Sequence, residues 1–328
     1  MIGITSLFTS IFGIILIGSL LIQPAVGKEY PARPIEILCP YAPGSSMDIV
    51  SRIVADIAPK YLGQSVVVVN KLGAGGSIAA ADIISSKPDG YKLAWLANFF
   101  FATTVKIQKV PFDPNDLTPI VNLHEYKLGL IVKGDSPWKT LNDLLDYAKK
   151  NPGKLKVAHG ARGHSLHLGT LVISKKAGVD FLEIVYKGAS PEQLAALLGG
   201  HVDLSSMAYG AVKDHVKAGS VRYLVFFSDR RYSDPPGVPS ALELGFPEAA
   251  NLVTLTGLYA HKNTPEEVRR VLFDGFKKIY EDPDFQQRID RMGDSPRFGG
   301  PEFMKEAIRK AEEVGVPLIK ELGLFVGK

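Results

Sequence analysis

Residues 35–58 read IEILCPYAPGSSMDIVSRIVADIA, a sequence that predicts a strand, a turn and a helix in immediate succession. The apolar residues at 35–39 predict a buried strand. Those between 49 and 57 recur at i, i+3 and i+4, which predicts a helix that buries one face. The polar turn at 40–48 joins the end of the strand to the start of the helix. Such a unit, repeated along a chain, is typical of an α/β fold.

The turn at residues 40–48, which we call the first jaw, has the features of an anion-binding site. Ser45, Ser46 or Asp48 can cap the helix, and Gly44 allows a ligand or backbone to approach closely. Free N–H groups and the positive end of the helix dipole converge there, which favours a carboxylate or phosphate. The alternative is an ordinary capped turn that binds only water. The candidate ligand-binding residues of this turn are Tyr41, Ala42, Gly44, Ser45, Ser46 and Asp48.

A second turn of the same kind follows the strand predicted at 155–158. It reads HGARGHS at residues 159–165, and a helix is predicted from Leu166 onward. We call residues 159–167 the second jaw. Its free N–H groups, with Arg162 as a possible donor, suit a carboxylate. The candidate ligand-binding residues here are Gly163, His164 and Ser165.

Strands and helices alternate along the rest of the chain, which predicts parallel sheets with a ligand cleft at the carboxyl ends of the strands. Asn98 stands at the end of the strand predicted at 92–97, so it is a candidate for the side of the cleft. Tyr209 follows another predicted strand and is a second candidate, although it could equally be a surface aromatic. The phenylalanines at 99–101 are expected in the core rather than in the cleft.

Several element predictions can be compared directly with the structure. Four successive valines at 66–69 predict a strand that is covered on both faces. Helices are predicted at 136–150 and near 240–244 from their capping residues and apolar spacing. The total length of 328 residues favours two domains.

Composition and the N-terminus indicate an exported globular protein. Hydrophobic residues make up 46% of the chain and charged residues 22%, as in ordinary globular proteins. The net charge is +4, and the basic residues are scattered among acidic ones, which argues against nucleic acid as a partner. The single cysteine, Cys39, allows no internal disulfide.

Residues 2–22 are almost wholly apolar, and small residues precede Lys28. Residues 1–27 are therefore predicted to be a secretory signal peptide. An uncleaved membrane anchor is the alternative, because the run is long enough to span a bilayer. The expected location is the periplasm, and the expected state is a monomer.

The histidines of the second jaw leave two other functions open. His159, His164 and His167 could ligate zinc, although no carboxylate or thiol lies nearby in the sequence and the spacing is not that of a metalloprotease. A hydrolase could use His164 as a general base and Ser165 as a nucleophile. However, the side chains of adjacent residues rarely point toward one another, and the sequence shows no third residue to orient the histidine. We expect no catalytic residue, no metal and no cofactor.

Taken in order, short motifs of this chain resemble the Bug/TctC family, the extracytoplasmic receptors of tripartite tricarboxylate transporters. The resemblance extends over nearly all of the chain after the predicted signal segment. No single motif is specific, but their order is. In the first half the motifs are Tyr30-Pro31, Arg33-Pro34, Pro40 to Gly44 with Asp48, Asn70 with Gly73 to Gly76, and Pro88 to Tyr91. In the second half they are Gly160, Gly163, His167-Leu168, Tyr186 to Gly188, Leu198 to Gly200, Val202 to Leu204, Val238-Pro239, Glu243 to Gly245 and Thr264-Pro265.

The resemblance implies a two-lobed, type II periplasmic-binding-protein fold, in which each lobe is a mostly parallel sheet flanked by helices. The expected boundaries are 28–127 and 226–328 for the first lobe and 128–225 for the second. Such receptors close on a small organic acid, hold its carboxylate by backbone N–H groups and bridging waters from the two strand-to-helix turns, and deliver it to membrane permease subunits. A receptor that signals to a membrane sensor protein is the alternative. By the same resemblance His167 is structural.

Three departures from the family pattern bear on the ligand. Residues 45–47, Ser-Ser-Met, stand where the family often has Gly-Gly or Gly-Thr, and His164 stands where Ser or Thr is common. Met207 stands where Asp or Asn is frequent. Together these departures count against the common dicarboxylates and amino acids and predict a bulkier or less polar acid.

Overall fold

The computed structural model describes residues 30–186 and 189–326 of the chain. The predicted signal segment 1–27 lies outside the described residues, as do Lys187 and Gly188 of the motif at 186–188. The strands of the described part are, in chain order, β1 (Ile35–Cys39), β2 (Val66–Asn70), β3 (Lys92–Ala97), β4 (Leu117–Tyr126), β5 (Leu128–Lys133), β6 (Lys156–His159), β7 (Leu182–Val185), β8 (Leu204–Ala208), β9 (Val221–Phe226), β10 (Thr254–His261) and β11 (Ser295–Gly299). Its α-helices are α1 (Ser46–Leu62), α2 (Ser77–Ser85), α3 (Asn98–Ala102), α4 (Leu141–Lys150), α5 (Ser165–Ala177), α6 (Ala189–Leu198), α7 (Tyr209–Lys217), α8 (Pro247–Ala250), α9 (Glu266–Glu281), α10 (Pro283–Met292) and α11 (Pro301–Glu321).

The strands form two mixed sheets in which one direction dominates. The first has the order β11-β4-β10-β3-β1-β2, and the second has the order β7-β6-β8-β5-β9. In the first sheet β1 to β4 share one direction and β10 and β11 oppose them. In the second sheet β5 alone opposes the others. The predicted fold class, two lobes of mostly parallel strands flanked by helices, is confirmed.

The chain crosses between the sheets twice, and each crossing leads into a strand that is antiparallel to the two strands beside it, β5 or β10. β4 leads through one residue, Lys127, directly into β5, and the segment 227–253 leads from β9 back to β10. Lys127 is buried, which lowers the pKa of its ammonium group. Its Nζ donates to the Asp234 carbonyl oxygen (2.9 Å) and lies above the rings of Tyr209 and Tyr232.

The apolar core of the second sheet recruits residues from outside segment 128–225. Ala249 and Ala250 of α8, and Leu318 and Ile319 of α11, belong to the same buried cluster as Leu130, Val157 and Leu168. Two helices that follow the second lobe in the sequence therefore pack against it. The lobe boundaries predicted from the sequence remain a proposal. The packing of α8 and of the end of α11 does not follow them, since both lie in segment 226–328 but contact the core of the second sheet.

Three element predictions differ from the structure. β2 is an edge strand, and Val67 and Val69 on its open face are 49% and 37% exposed, so the expectation of two covered faces is wrong. The helix predicted at 136–150 begins only at Leu141, because Thr140 and Asp143 form a reciprocal capping box there. Residues 240–244 form a turn rather than a helix. The sequence patterns also left α10 and β11 unpredicted.

Within residues 30–186 and 189–326, no helix combines the length and the apolar character needed to cross a bilayer.

Candidate functional site

Helix starts from both sheets surround one cleft. α1 follows β1, α3 follows β3, α5 follows β6 and α7 follows β8, so these helix N-termini lie at the carboxyl ends of parallel strands. Between them is a cavity of about 320 Å³. Its lining residues from the first sheet's side are Pro40, Tyr41, Met47, Gly75, Leu96, Ala97, Phe99, Phe100, Thr103, Thr104, Tyr126 and Thr254, and those from the second are Leu128, His164, Ser165, Leu166 and Ala208.

Side chains of the first jaw accept hydrogen bonds from backbone N–H groups of the same turn. Gly44 has a left-handed φ of +81°, and its N–H donates to Asp48 Oδ2 (2.9 Å). Ser45 Oγ accepts the Asp48 N–H (3.3 Å), which caps the helix as predicted. Asp48 is buried and also accepts from Arg52 Nε (3.0 Å) and Asn70 Nδ2 (2.7 Å). Burial raises the pKa of the Asp48 carboxyl, but these hydrogen bonds outweigh it and hold the pKa below its ordinary value. A charged carboxylate therefore already occupies the first turn of α1.

A second carboxylate reaches the same helix start from a distant part of the chain. Ser46 Oγ donates to Asp294 Oδ2 (2.8 Å), and His124 Nε2 lies 3.0 Å from the same oxygen. Both Asp294 and His124 are buried. On its other side His124 Nδ1 lies 3.0 Å from Thr256 Oγ1, which accepts from Trp95 Nε1 (2.9 Å). A polar chain thus runs from the centre of the first sheet to the first jaw.

The second jaw has the same backbone with different side chains. Gly163 also has a φ of +81°, and its N–H donates to His167 Nδ1 (3.1 Å). Because Nδ1 accepts, the proton of a neutral His167 is on Nε2, which lies 3.0 Å from Glu183 Oε1 and donates to it. His164 is the N-cap residue of α5, and its side chain makes no capping hydrogen bond. The first N–H groups of α5, beginning at Ser165, therefore face the cleft with neither a side-chain cap nor an acidic residue in the first turn.

A possible metal-ligand set lies behind the second jaw. The donor atoms of His159, His167 and Glu183 all lie within 4.8 Å of one another, and His159 Nε2 lies 3.5 Å from Glu183 Oε2. However, His167 Nε2 carries the proton that donates to Glu183, so it has no lone pair for a metal while Gly163 bonds Nδ1. Of the three histidines named as zinc ligands, His164 lines the cavity instead of joining the other two. Glu183 and His167 serve to hold the Gly163 turn.

Among the described residues, no aspartate, glutamate, lysine or arginine lines the 320 Å³ cavity. His164 is accessible from the open cleft but surrounded by protein on most sides, and this desolvation, together with His167, lowers the pKa of its imidazole. The Thr254 hydroxyl is buried without a hydrogen-bond partner. The remaining walls are largely apolar and are formed chiefly by Met47, Leu96, Phe99, Phe100, Leu128 and Leu166.

A second cavity, of about 420 Å³, adjoins the first across Tyr126 and Ala208, which line both. Ser46 and Asp294 line this second cavity, with Met292 and the start of α7. Its only charged lining residue within the described chain is Asp294. An anion that extended from the first cavity into the second would meet that carboxylate.

The structure places nine of the eleven predicted ligand-binding residues in or next to the two cavities. Tyr41, His164 and Ser165 line the first cavity, and Ser46 lines the second. The others shape the turns without lining either cavity; they are Ala42, Gly44, Ser45, Asp48 and Gly163. Arg162 is exposed on the second jaw and is not part of the cavity wall.

Asn98 and Tyr209 are corrections to the prediction. Asn98 is buried and ties α3 to β10, since its Nδ2 donates to the Val253 carbonyl and its Oδ1 accepts the Leu255 N–H, both at 3.0 Å. Tyr209 is fully buried, with its hydroxyl 3.1 Å from both carboxylate oxygens of Asp234. Met207, proposed to shape the pocket, is buried in the core of the second lobe.

Sequence reasoning missed the apolar wall of the cavity and the presence of Thr254 in its lining. Phe99 and Phe100 were expected in the core, and both are indeed nearly buried, yet they also face the cavity. Their position just after β3 was the available signal, because that is the cleft end of a parallel strand. Nothing in the sequence marked Thr254, since it begins the antiparallel strand β10.

Comparison with known proteins identifies the family of this chain. The model of the tripartite tricarboxylate transporter family receptor, TctC, matches residues 50–324. The chain belongs to this family. It is 37% identical over 307 residues to a Cupriavidus necator protein named for the gbd 5' region, covering 92% of this chain and 90% of that protein.

Two solved structures show the same fold. A TctC solute-binding protein from Polaromonas, without ligand, is 31% identical with a TM-score of 0.78, covering 89% of this chain and 99% of that one. A protein of R. palustris solved with adipate is 25% identical with a TM-score of 0.72, covering 90% of this chain and 98% of that one. The matched family is one of transporter receptors and the Polaromonas protein is a solute-binding protein, so the Bug/TctC resemblance is confirmed and the hydrolase alternative is abandoned.

Proposed function

We propose that this TctC-family protein captures a small organic acid in the periplasm and delivers it to the membrane permease subunits of a tripartite transporter. The observation that carries the proposal is the cavity between the two jaws, where the uncapped start of α5 faces the walls contributed by the first sheet. Exposed N–H groups at a helix start bind anions well. The structure solved with adipate shows that a relative of this fold holds an acid.

Capture requires no covalent chemistry. The acid contacts the second jaw with its carboxylate and the first sheet's residues with its body, so only the closed arrangement satisfies both ends of the molecule. Binding therefore shifts the population of conformers toward the closed form. The permease distinguishes the loaded receptor by that closed surface, and the receptor acts as a monomer.

A thermal-shift screen tests the receptor function. The protein is expressed with its own N-terminal segment, purified from the periplasmic fraction, and its N-terminus is sequenced; a start near Lys28 is the expected result. Mono-, di- and tricarboxylates, aromatic acids and acidic amino acids are added in turn, with zinc and a chelator as controls. A ligand that binds only the native state raises the melting temperature by mass action. A zinc response reversed by chelator, with no response to any acid, would contradict the proposal.

An uptake assay tests the transport role. Cells that carry the receptor and a large and a small permease subunit should accumulate the labelled acid, and cells that lack either component should not. Unchanged uptake without the permease, together with a lost transcriptional response in cells without the receptor, would favour the signalling alternative.

A further inference from the structure

The glycine turns of the two jaws differ in what covers them. The position that a Cβ on Gly163 would occupy lies 3.2 Å from Leu324 Cδ1 and 3.7 Å from Ile319 Cγ2. Ile107 Cδ1 lies 3.8 Å from the same position. The corresponding position on Gly44 has no heavy atom of the described residues within 4 Å, apart from its chain neighbours. The turn of the second jaw is therefore packed against side chains from distant parts of the chain, whereas Gly44 is open.

Two of these three side chains belong to the end of α11. The last turn of this helix is closed by a Schellman motif, in which Gly323 has a φ of +67° and its N–H donates to the Lys320 carbonyl oxygen (3.0 Å). The next N–H, that of Leu324, donates to the Ile319 carbonyl oxygen (2.9 Å). Such a motif commonly brings the side chains of these two positions together. Here both side chains lie against Gly163, so the helix end presents an apolar pair to the turn.

The end of α11 and the residues after it contact both lobes, and we call residues 318–326 the strap. Its first residues, Leu318 and Ile319, are buried in the core of the second sheet. Beyond the helix, the Val326 N–H donates to the carbonyl oxygen of Lys106 (2.8 Å), in the segment that follows α3. Residues of that segment line the 320 Å³ cavity from the first sheet's side. The strap therefore joins the second jaw to the opposite wall of the cleft.

We propose that the strap is a positioning element of the binding site: Leu324 and Ile319 hold the Gly163 turn, and with it the start of α5, in position against the first lobe. The inference rests on the proposed function, because it assigns residues outside the cleft to the same site. A site binds tightly only when the groups that touch the ligand are held by a further layer of packed residues. Since coupling is reciprocal, an acid that orders the turn also orders the strap.

Hydrogen exchange, followed by mass spectrometry on the exported protein without ligand, tests the positioning role. Leu324→Ala removes the contact with Gly163. Leu322→Ala is the matched control, because Leu322 packs against the same core but has no atom among the three nearest to the Gly163 Cβ position. Exchange of residues 159–167 should rise by about fivefold or more in Leu324→Ala and stay within about twofold of the wild-type rate in Leu322→Ala. The peptide that contains Gly44 should be unchanged in both variants.

Isothermal titration calorimetry tests the link to binding. Adipate, benzoate, citrate and glutamate represent the acid classes of the thermal-shift screen, and each one that raises the melting temperature of the wild-type protein is titrated. Its dissociation constant should be about fivefold higher in Leu324→Ala and within about twofold of the wild-type value in Leu322→Ala. Leu324→Met, which keeps an apolar side chain of similar size, should restore both the affinity and the slow exchange of residues 159–167. The same acid should slow the exchange of residues 322–326 in the wild-type protein.

The outcomes separate this inference from the receptor function. Unchanged exchange of residues 159–167 in Leu324→Ala, or an equal rise in Leu322→Ala, overturns the positioning role. Faster exchange without a loss of affinity overturns the link between the strap and binding. If none of the acids in the wider screen binds the wild-type protein, the receptor function itself fails, and the exchange experiment still decides whether the strap holds the turn.

Discussion

The two jaws are built on the same five-residue pattern, and they differ in the residue that closes it. In each, a glycine with φ +81° donates its N–H to the side chain four residues later, from Gly44 to Asp48 and from Gly163 to His167. The N-cap residue and the first helical residue lie between, and the first helical residue is serine in both. In the first jaw the closing side chain is an anion. In the second it is an imidazole whose other nitrogen is held by Glu183.

This difference gives the two jaws different electrostatic surroundings. A carboxylate in the first turn of a helix interacts favourably with the helix dipole, and Asp48 is also paired with Arg52, so the first jaw is held together by contacts within its own lobe. An imidazole satisfies the glycine N–H equally well but leaves the dipole uncompensated. The same backbone turn is therefore closed by an anion in one lobe and by an imidazole in the other.

The largest effect should come from Asp48→Ala, which removes the acceptor for Gly44, Arg52 and Asn70. We expect the free energy of unfolding at pH 7 to fall by about 2–3 kcal/mol, since hydrogen bonds from three donors to a charged acceptor are lost together. Denaturant unfolding measures this loss. Ligand affinity in the folded variant should stay within a factor of about two. An affinity loss of tenfold or more would place the first jaw in the binding site after all.

Acid should act through the same carboxylate. The pKa of Asp48 is lower in the folded protein than in the unfolded chain, so its stabilising contribution is present above the unfolded pKa of about 4 and is lost as the pH falls through the folded value. Asp48→Asn should therefore be less stable than the wild-type protein at pH 7, and the difference should narrow below pH 4. A constant difference across that range would contradict this role.

The next largest effect should be on acid affinity, from proline substitutions that remove one backbone N–H from the start of α5 or of α1. Ser165 and Ser46 are first helical residues, where proline is well tolerated, and the residues before them have ψ of 163° and 158°, which suits a residue that precedes proline. Ser165→Pro should weaken acid binding tenfold or more relative to Ser165→Ala, because a hydrogen bond to a charged group is worth about 1.5–3 kcal/mol. Calorimetric titration provides the affinities.

The same substitution in the first jaw is the control. Ser46→Pro should change affinity by less than about threefold relative to Ser46→Ala, because the α1 N-terminus is already compensated. Equal losses in both jaws would mean that both helix starts bind the acid.

A smaller loss of stability should follow from Glu183→Ala, which removes the side chain that supports the second jaw. Glu183 orients His167, which in turn holds the Gly163 N–H. The loss of stability should be about 1–2 kcal/mol, less than for Asp48→Ala, because the side chain of Glu183 is 26% exposed and water can replace its oxygens. Denaturant unfolding of both variants checks the order, and a reversed order would show that the second jaw is the more self-contained of the two.

The smallest effect should be a pH dependence of binding through His164. Burial and His167 lower the pKa of this imidazole, so in the free protein the neutral form is favoured and stability falls as the pH drops from the unfolded value of about 6.5 through the folded one. A bound carboxylate stabilises the charged imidazole. Affinity should therefore rise by a few-fold as the pH is lowered from 7.5 to 5.5, and His164→Gln should remove the rise. A flat profile in the wild-type protein would place His164 away from the carboxylate.

Local sequence was a good guide wherever the interaction was local. The capped start of α1, the strand-to-helix turns and the glycines of both jaws depend on neighbours within five residues, and all of them were predictable. Asn98 and Tyr209 were misassigned because a side chain at the end of a strand can point into the cleft or back into the protein. Their partners, Val253, Leu255 and Asp234, lie in segments far along the chain that carry no signal of this contact.

The amino-acid sequence by itself determined the family, the α/β organisation and the two turns that face each other, because hydrophobic period, glycine and capping residues act over a few positions. Only the tertiary structure decided the electrostatic surroundings of each turn. That decision depends on Asp294, which reaches Ser46 across 248 positions, and on Glu183, which fixes the proton of His167. Electrostatic compensation depends on distance in space, and distance in space follows from the packing of the whole chain.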